Sequence, residues 1–449
     1  MKILVLNGSP KGEYSITLQT VKFLEKKFPE DTFEVLHVGQ KVKSLTRDFS
    51  KAMDAIAQAE VLLFSYPVYT FIAPCQLHKF IELMKTHGVD VAGKIATQIT
   101  TSKHFYDVTA HRYIQDNVQE LGMRYVRGLS ADMEDLTTQK GQQEAVSFWK
   151  HFHWCVELGI FEPYFPQAEA TAPIPVTVPE VPAAENTGDV VIIADLAEDD
   201  IQLAGMIARF RAKLPYATRV VNLREYPFSG GCLGCFRCAV SGKCVHKDGF
   251  DDFLRNSIQT ADSMIYAFPI RDHSMGALFK MYDDRQFCNG HRTVTIGMPV
   301  GYLISGNLSK EENLRTIIEG RAQVGSNILA GIATDEVDTD ASVDALAASL
   351  AYALEHQNTG PQNFLGVGGM KIFRDLIYQM RGFMRADHKF FKSHGQYDFP
   401  QKKWPQSLAM YLVGAMIANP KLHSKMGNKM NEGMLMPYKK VLDDLEKQK

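Results

Sequence analysis

The sequence predicts two tandem α/β domains, each with a doubly wound parallel β-sheet, followed by a helical C-terminal extension. Short apolar strands alternate with helix-like segments in two similar series, and several strands are continuous apolar runs, as in sheets covered on both faces. A segment with six prolines separates the two series and is predicted to be a semi-rigid linker. The predicted boundaries are 1–162 for the first domain, 163–188 for the linker, 189–358 for the second domain and 359–449 for the extension.

The composition indicates an ordinary globular protein, with 45% hydrophobic and 22% charged residues among 449. The longest apolar run begins at Leu408 and is shorter than the roughly 18 residues of a membrane span. The apolar stretch of the first strand is too short for a signal peptide, so we expect a cytoplasmic protein. We also expect no membrane span and no nucleic-acid partner. Clustered cysteines in such a protein favour metal or redox chemistry over structural disulfides.

The first domain is predicted to begin with a strand and to alternate from there. Its predicted strands are "KILVLN", "TFEVLHV", "VLLFSYPVY" and "KIATQITT", and its predicted helices are "SITLQTVKFLEKKF", "FSKAMDAIAQA" and "CQLHKFIELM". The segment "VGQKVKSLTRDFSKAM" is interpreted as a loop that corresponds to a cysteine-containing loop in the second half.

The second domain repeats this order. Its predicted strands are "DVVIIAD", "TRVVNL", "SMIYAFPI" and "TVTIGMPVG", and its predicted helices are "IQLAGMIARFRAKL", "FDDFLRNSIQT" and "GALFKMYDDRQF". In both halves the third strand ends in an apolar–Pro–apolar loop and a lysine-bearing helix follows. The pattern indicates a duplicated domain whose copies have diverged.

The first strand is followed by "NGSPKGEYSIT", Asn7 to Thr17, which leads into a helix. Gly, Ser and Thr at this position direct backbone N–H groups and hydroxyls to one point, and the helix N-terminus adds positive potential that suits a phosphate. The loop also lies at the switch point where open α/β sheets bind ligands. The alternative is a plain Gly/Ser turn with a serine N-cap.

Together with "SYPVYTFIAP", this loop resembles the flavodoxin-like NAD(P)H-dependent FMN reductases. The resemblance implies that Ser9, Lys11, Ser15 and Thr17 hold the FMN phosphate, that Pro67, Val68 and Tyr69 line the isoalloxazine, and that Thr100, Thr101, Ser102 and His104 contact the ring edge. Ile16 stands where many relatives have Asn, which removes one side-chain hydrogen bond.

The corresponding segment of the second half, "ADLAEDDIQLA", has no Gly, Ser, Thr or Lys and carries four acids instead. One unpaired carboxylate about 6 Å from a phosphate dianion would cost roughly 3–5 kcal/mol. We therefore expect no FMN phosphate in the second half.

The second half instead contains the run "CLGCFRCAVSGKC", with the spacing C-x2-C-x2-C-x5-C. Three cysteines within seven residues are typical of loops that bind an iron–sulfur cluster, whereas structural zinc usually comes from two separated C-x-x-C pairs. A 4Fe–4S cluster is favoured, with zinc and free or disulfide-bonded thiols as alternatives. The spacing resembles that of the iron–sulfur flavoproteins, found mainly in anaerobes, which implies that Cys232, Cys235, Cys238 and Cys244 are the ligands.

In those proteins the cluster of one subunit lies near the FMN of another. If the two halves form a pseudo-twofold pair, one chain needs one FMN and one cluster, which meet at the interface. The sequence thus predicts a flavin-dependent oxidoreductase that passes electrons from NAD(P)H, as a transiently bound substrate, or from ferredoxin to an unknown acceptor. The alternatives are a cluster-based redox or iron sensor, and an FMN reductase with structural zinc.

The last segment is basic, with 15 Lys and Arg against 7 Asp and Glu in 371–449. Apolar residues at helical spacing from Ile372 to Met384 favour a helix that packs on the second domain and leaves a basic side in solvent. The alternatives are that this side docks an acidic redox partner or anionic lipid.

Overall fold

The computed structural model describes residues 1–164, 172–180, 186–356, 359–418 and 429–447. The strands are β1 (Lys2–Asn7), β2 (Thr32–Leu36), β3 (Val61–Pro67), β4 (Ile95–Ser102), β5 (Arg124–Tyr125), β6 (Leu129–Asp132), β7 (Asn186–Ala194), β8 (Tyr216–Asn222), β9 (Ser263–Pro269), β10 (Pro299–Ser305) and β11 (Ile328–Thr334). The helices of the α/β region are α1 (Ile16–Lys27), α2 (Val38–Arg47), α3 (Ser50–Gln58), α4 (Cys75–Thr86), α5 (Asp107–Glu120), α6 (Gln139–Leu158), α7 (Ile201–Lys213), α8 (Arg237–Ser241), α9 (Phe250–Phe253), α10 (Gly276–Arg285), α11 (Glu312–Gly325) and α12 (Thr339–His356). The extension contains α13 (Phe364–Gln379), α14 (Arg385–Ser393), α15 (Trp404–Ile417) and α16 (Lys429–Glu446).

Both sheets are parallel and have the same strand order. The first runs β2-β1-β3-β4-β5, with β6 paired to β4, and the second runs β8-β7-β9-β10-β11. Each is the doubly wound order in which the first strand lies beside the switch point. The predicted fold class, two tandem flavodoxin-like α/β sheets with a helical extension, is confirmed.

The apolar strands are buried on both faces because each face packs against a different core. In β1, Leu4 and Leu6 belong to one hydrophobic cluster, whereas Ile3 and Val5 belong to another. The cluster that holds Leu4 also holds residues of β7, while the far side of the second sheet has a separate core. The facing sides of the two sheets thus share one continuous core.

Helices α4 and α10, which follow the two loops predicted to correspond, pack against each other between the halves. Buried Asp284 accepts hydrogen bonds from the Cys75 backbone N–H at 2.8 Å and from the Thr70 hydroxyl at 2.9 Å, and it pairs with buried Lys280. The Lys280 ammonium also donates to the Tyr69 carbonyl at 3.0 Å. The interface is therefore apolar with a buried ionic network at its centre.

Two predicted segments differ from the structure. The segment 38–47, predicted as a loop, is helix α2, because Val38 and Leu45 lie seven residues apart and are both buried on one helical face. The predicted strand "TVTIGMPVG" begins instead at Pro299, because a turn precedes it in which Gly297 has φ +78°.

The described part of the predicted linker, 172–180, lies along the second domain. The Ile174 backbone N–H donates to the Asp335 carbonyl at 2.9 Å, and the Ile174 carbonyl accepts from Thr339 Oγ1 at 2.6 Å. Residues 165–171 and 181–185 of the predicted linker lie outside the described residues, whereas 186–188 are the first residues of β7. The predicted domain boundaries remain predictions.

Helix α13 packs against α11, where a Cβ at Gly369 would lie 2.7 Å from Val324. Residues 391–449 form a separate compact unit that contains α15 and α16. Across the described ranges, no helix combines the length and the apolar character that crossing a bilayer requires.

Candidate functional site between the two halves

The loop after β1 is held in shape by its own side chains. The Asn7 amide donates to the Gly12 carbonyl at 3.0 Å and accepts from the Ser9 backbone N–H at 3.2 Å. The Ser9 hydroxyl accepts from the Lys11 N–H at 3.3 Å, and Ser15 caps α1 by accepting from the Leu18 N–H at 3.4 Å. The loop is thus organised with its hydroxyls and the N-terminus of α1 close together.

Two hydroxyls at this edge of the sheet are buried without a hydrogen-bond partner in the described part of the chain: Thr17 Oγ1 and Thr101 Oγ1. Both threonines line the same cavity, as does Lys11. Burial lowers the pKa of Lys11, although the nearby thiols Cys235 and Cys232 act in the opposite direction. A half-buried ammonium and orphaned hydroxyls on one cavity provide the donors that an anionic, multiply accepting ligand such as FMN phosphate needs.

The cavity lies at the carboxyl ends of β1, β3 and β4 and is closed by the second half. Of the eleven residues predicted to bind FMN, those that line it are Ser9, Lys11, Ser15, Thr17, Pro67, Val68, Tyr69, Thr101 and Ser102. The four cysteines of the C-x2-C-x2-C-x5-C run, Cys232, Cys235, Cys238 and Cys244, line it as well. The phosphate loop and the thiols therefore open on one space.

The other two predicted contacts lie elsewhere. Thr100 is inside β4, not in a loop after it, and its hydroxyl pairs with His111 Nε2 at 2.8 Å. His104 pairs with Asp107 at 2.8 Å and borders a separate cavity beside α6. The predicted strand "KIATQITT" ends at Thr101, one residue before the end of β4, which continues through Ser102 by pairing with β6.

The cysteine loop is fastened to the first half by close backbone contacts. The Gln76 amide donates to the Cys232 carbonyl at 3.1 Å, and Lys43 Nζ donates to the Ser229 carbonyl at 2.6 Å. At Gly231 a Cβ would lie 2.2 Å from Cys75 Sγ, so only glycine fits there. Thus α2 and α4 of the first half hold the loop of the second.

The second half fixes the other side of the same loop through a buried ion pair. Arg285 forms two hydrogen bonds with Asp248, at 2.7 and 2.8 Å, and also donates to the Gly230 carbonyl at 2.8 Å. Asp248 in turn accepts from the Ser229 backbone N–H at 2.9 Å. Burial tends to raise the pKa of Asp248, but the bonds from Arg285 and Ser229 hold it well below its usual range.

The thiols are buried to different degrees, and this sets their protonation. Burial raises the pKa of Cys232 far above its ordinary value and that of Cys238 to about 11, so both are protonated at neutral pH without a bound cation. Such thiols are poor nucleophiles, but a metal centre displaces their protons. No group of three or more His, Cys, Asp or Glu side chains in the described ranges is arranged to hold a single metal ion, so loading would require the thiols to reorient.

One wall of the cavity comes from the extension, which no sequence motif links to the site. Ile372, Phe373 and Leu376 of α13 line it. The Phe373 ring lies 4.5 Å from the Phe105 ring and 4.9 Å from that of His291. The apolar residues at helical spacing from Ile372 indicate that α13 has a buried face. The sequence alone does not identify the surface on which that face packs.

The corresponding position of the second half has a different character. Asp195 directly follows β7, is buried, and pairs with Arg224 at 2.8 Å and with Arg271 at 3.9 Å. Its backbone N–H donates to the Ala267 carbonyl at 2.9 Å, as the Gly8 N–H does to the Ser65 carbonyl in the first half, so Asp195 stands where the first half has Gly8. This edge presents no phosphate loop.

Gly234→Ala should displace the cysteine loop from the first half. Gly234 has φ +59°, and a Cβ there would lie 1.8 Å from Tyr69 Oη. Gly88→Ala is the matched control, since Gly88 has the same φ of +59° with nothing within 4 Å. Both variants should lose about 1–2 kcal/mol of stability through left-handed strain, and Gly234→Ala about 1–3 kcal/mol more through overpacking, as urea unfolding would measure. Equal losses in the two variants would contradict the contact.

Comparison with known proteins agrees with this geometry. Residues 1–134 match the family model "NADPH-dependent FMN reductase". An iron–sulfur flavoprotein of Archaeoglobus fulgidus is 26% identical over 175 residues, which cover 36% of this chain and 78% of that protein. An iron–sulfur flavoprotein of Clostridioides difficile is 32% identical over 54 residues, 12% of this chain and 24% of that protein.

Among solved structures, an NADH:FMN oxidoreductase in its apo form superposes with a TM-score of 0.30 at 19% identity, over 34% of this chain and 88% of that one. The family match covers the phosphate loop of the first half. The first half is thus similar to the NADPH-dependent FMN reductases over residues 1–134, and the chain is a flavin-dependent oxidoreductase.

Proposed function

We propose that this chain is an iron–sulfur flavoprotein that passes electrons between a reductant, NAD(P)H or a ferredoxin, and an acceptor through one FMN and one 4Fe–4S cluster. The observation that carries the proposal is the shared cavity: the phosphate loop of the first half and the four thiols of the second line the same space. The reducing cytoplasm is the compartment that suits such thiols. An anionic partner protein would meet the basic extension, 359–449.

The residues of the first half fit FMN. Ser9, Ser15 and Thr17 would hold its phosphate with the N-terminus of α1, and Lys11 would balance its charge. Pro67, Val68 and Tyr69 would line the isoalloxazine, with Thr101 and Ser102 at the ring edge. The orphaned hydroxyls of Thr17 and Thr101 would thereby gain partners.

The residues of the second half fit an iron–sulfur cluster by their donor set, four thiols within one loop. The Gly234 backbone N–H already donates to Cys232 Sγ at 3.5 Å, as N–H groups do around cluster sulfurs. When bound, FMN exchanges electrons in pairs or singly and the cluster exchanges them singly. Lys11 and Arg285 place two positive charges beside the thiols, and the α13 side chains exclude water from one wall.

The visible spectrum of anaerobically purified protein tests the proposal. Iron–sulfur absorbance added to the flavin bands, with turnover of NAD(P)H and an artificial acceptor, is the expected result. Flavin bands alone, together with bound zinc, would show that the four cysteines hold structural zinc and not an iron–sulfur cluster. Both cofactors without turnover would favour a sensor that acts on a partner.

Lys11→Ala should weaken FMN binding about 10- to 100-fold, because it removes a charge-assisted bond to the phosphate. Riboflavin, which lacks the phosphate, should bind the variant and the parent alike. Lys26→Ala, at an exposed position in the last turn of α1, is the control and should leave both affinities unchanged. Fluorescence titration of the apoprotein measures them. Equal loss of FMN and riboflavin affinity in Lys11→Ala would place the phosphate elsewhere.

A further inference from the structure

Helix α15 is apolar around its whole circumference. Its sequence, WPQSLAMYLVGAMI, contains no charged residue. Its exposed side chains are Trp404 (67%), Leu408 (53%), Met410 (59%), Tyr411 (79%), Leu412 (62%) and Met416 (49%). The three consecutive positions Met410 to Leu412 point in directions about 100° apart, so covering one face would leave the others in water. Such a helix is stable only where its surroundings are apolar on several sides.

The N-terminal end of α15 has the composition of a membrane–water interface. Lys402 Nζ lies 5.8 Å from the centre of the Tyr397 ring and 5.1 Å from that of Phe399, and the two rings stack at 5.8 Å. Lys403 and exposed Trp404 follow directly. Aromatic rings and lysines of this kind collect at the headgroup level, where the ring or alkyl stem is buried and the polar tip stays wet.

The charge around α15 is of one sign. From Phe399 to Asn431 the sequence contains five lysines, 402, 403, 421, 425 and 429, and no acidic residue. Of these, Lys402 and Lys403 lie directly before the first residue of α15. This arrangement complements a surface that is anionic and has an apolar layer beneath it, which describes a bilayer with acidic lipids better than a protein groove.

The length of α15 decides how it would lie. Its 14 residues span about 21 Å, short of the roughly 30 Å hydrocarbon core. It would therefore lie within one leaflet and not cross it. Helix α16 adds an exposed apolar stripe, Met434, Tyr438, Val441 and Leu445, at helical spacing.

We propose that α15, with Lys402 and Lys403 directly before it, forms a membrane anchor that inserts into the apolar layer of one leaflet, beneath the headgroups, in bilayers containing anionic lipid. The anchor uses none of the residues of the FMN and thiol cavity. The anchor would bring the chain to the membrane surface, within reach of a lipid-bound electron acceptor. Its test does not depend on the redox proposal.

The test is flotation of the full-length protein with vesicles of phosphatidylcholine alone or with 30% phosphatidylserine. We expect at least tenfold tighter binding to the anionic vesicles, since each surface lysine contributes about fivefold. A blue shift of tryptophan emission should accompany binding and should vanish in Trp404→Phe, which leaves Trp149 and Trp154 in place. The double variant Met410→Glu/Leu412→Glu should lose at least tenfold in affinity.

The control variant is Val337→Glu, which places an acid at a still more exposed apolar position of the second domain (84% exposed) and should bind as the parent does. Circular dichroism and flavin content should be the same for all variants. Absence of parent protein from the floated anionic fraction would overturn the proposal, as would undiminished binding of the double variant. Self-association through α15, lost in the double variant without vesicle binding by the parent, would assign the helix to a second copy instead.

Discussion

Cys235→Ala should remove nearly all of the roughly four iron atoms expected per chain while the FMN content stays unchanged. Cys235 is exposed, so its truncation leaves no buried cavity and the fold should persist. A 4Fe–4S cluster is held by four cysteine thiolates, and this loop supplies four. Removing one of them would leave the cluster without its full set of protein ligands. Iron and flavin analysis of protein reconstituted anaerobically measures both quantities on one sample.

Two other cysteines serve as controls for this variant. Cys155 lies in α6 and does not line the cavity, so Cys155→Ala should retain iron. Cys288 lines the cavity but stands outside the four-cysteine run, and burial raises its pKa to about 12. Cys288→Ala should also retain iron. Iron loss in Cys288→Ala with iron retained in Cys235→Ala would show that the ligand set is wrong.

Asp284→Ala should destabilise the junction of the halves by about 3–5 kcal/mol, because the buried Lys280 ammonium loses its nearest carboxylate and keeps only Asp283, at 3.7 Å. The Cys75 N–H and Thr70 hydroxyl lose their acceptor at the same time. Urea unfolding followed by circular dichroism measures the loss. Weaker FMN retention should accompany it, since Tyr69, whose carbonyl accepts from Lys280, would be released.

The control is Lys140→Ala, which removes an exposed ammonium and should leave the urea midpoint unchanged. Lys280→Met combined with Asp284→Leu should recover part of the lost stability, because no unpaired charge remains. A double variant less stable than Asp284→Ala would contradict the assignment of the loss to the buried ammonium.

Most of the fold could be predicted from the sequence because parallel strands buried on both faces are visible as apolar runs. The β1 loop and the cysteine loop could be found for the same reason: their chemistry is local, set by residue types within a dozen positions. Helix α2 was missed because the comparison of halves assigned its segment to a loop. Its own spacing of Val38 and Leu45 contained the correct information.

The wall of the site formed by α13 could not be predicted, because it depends on contacts between residues far apart in sequence. Phe373 contacts Phe105, although more than half of the chain's length separates the two residues in sequence. The same holds for Asp387, which fixes the cavity-lining residue His291 at 2.9 Å. Such residues have no local motif.

The central claim is that the two halves build one redox site, with the flavin held by the first and the metal by the second. An anaerobic crystal structure with anomalous scattering at the iron edge tests it most directly. We expect one flavin against Tyr69 and one group of iron peaks beside Cys232 to Cys244, both in the same cavity. Iron remote from the flavin, or a second flavin beside Asp195, would contradict it.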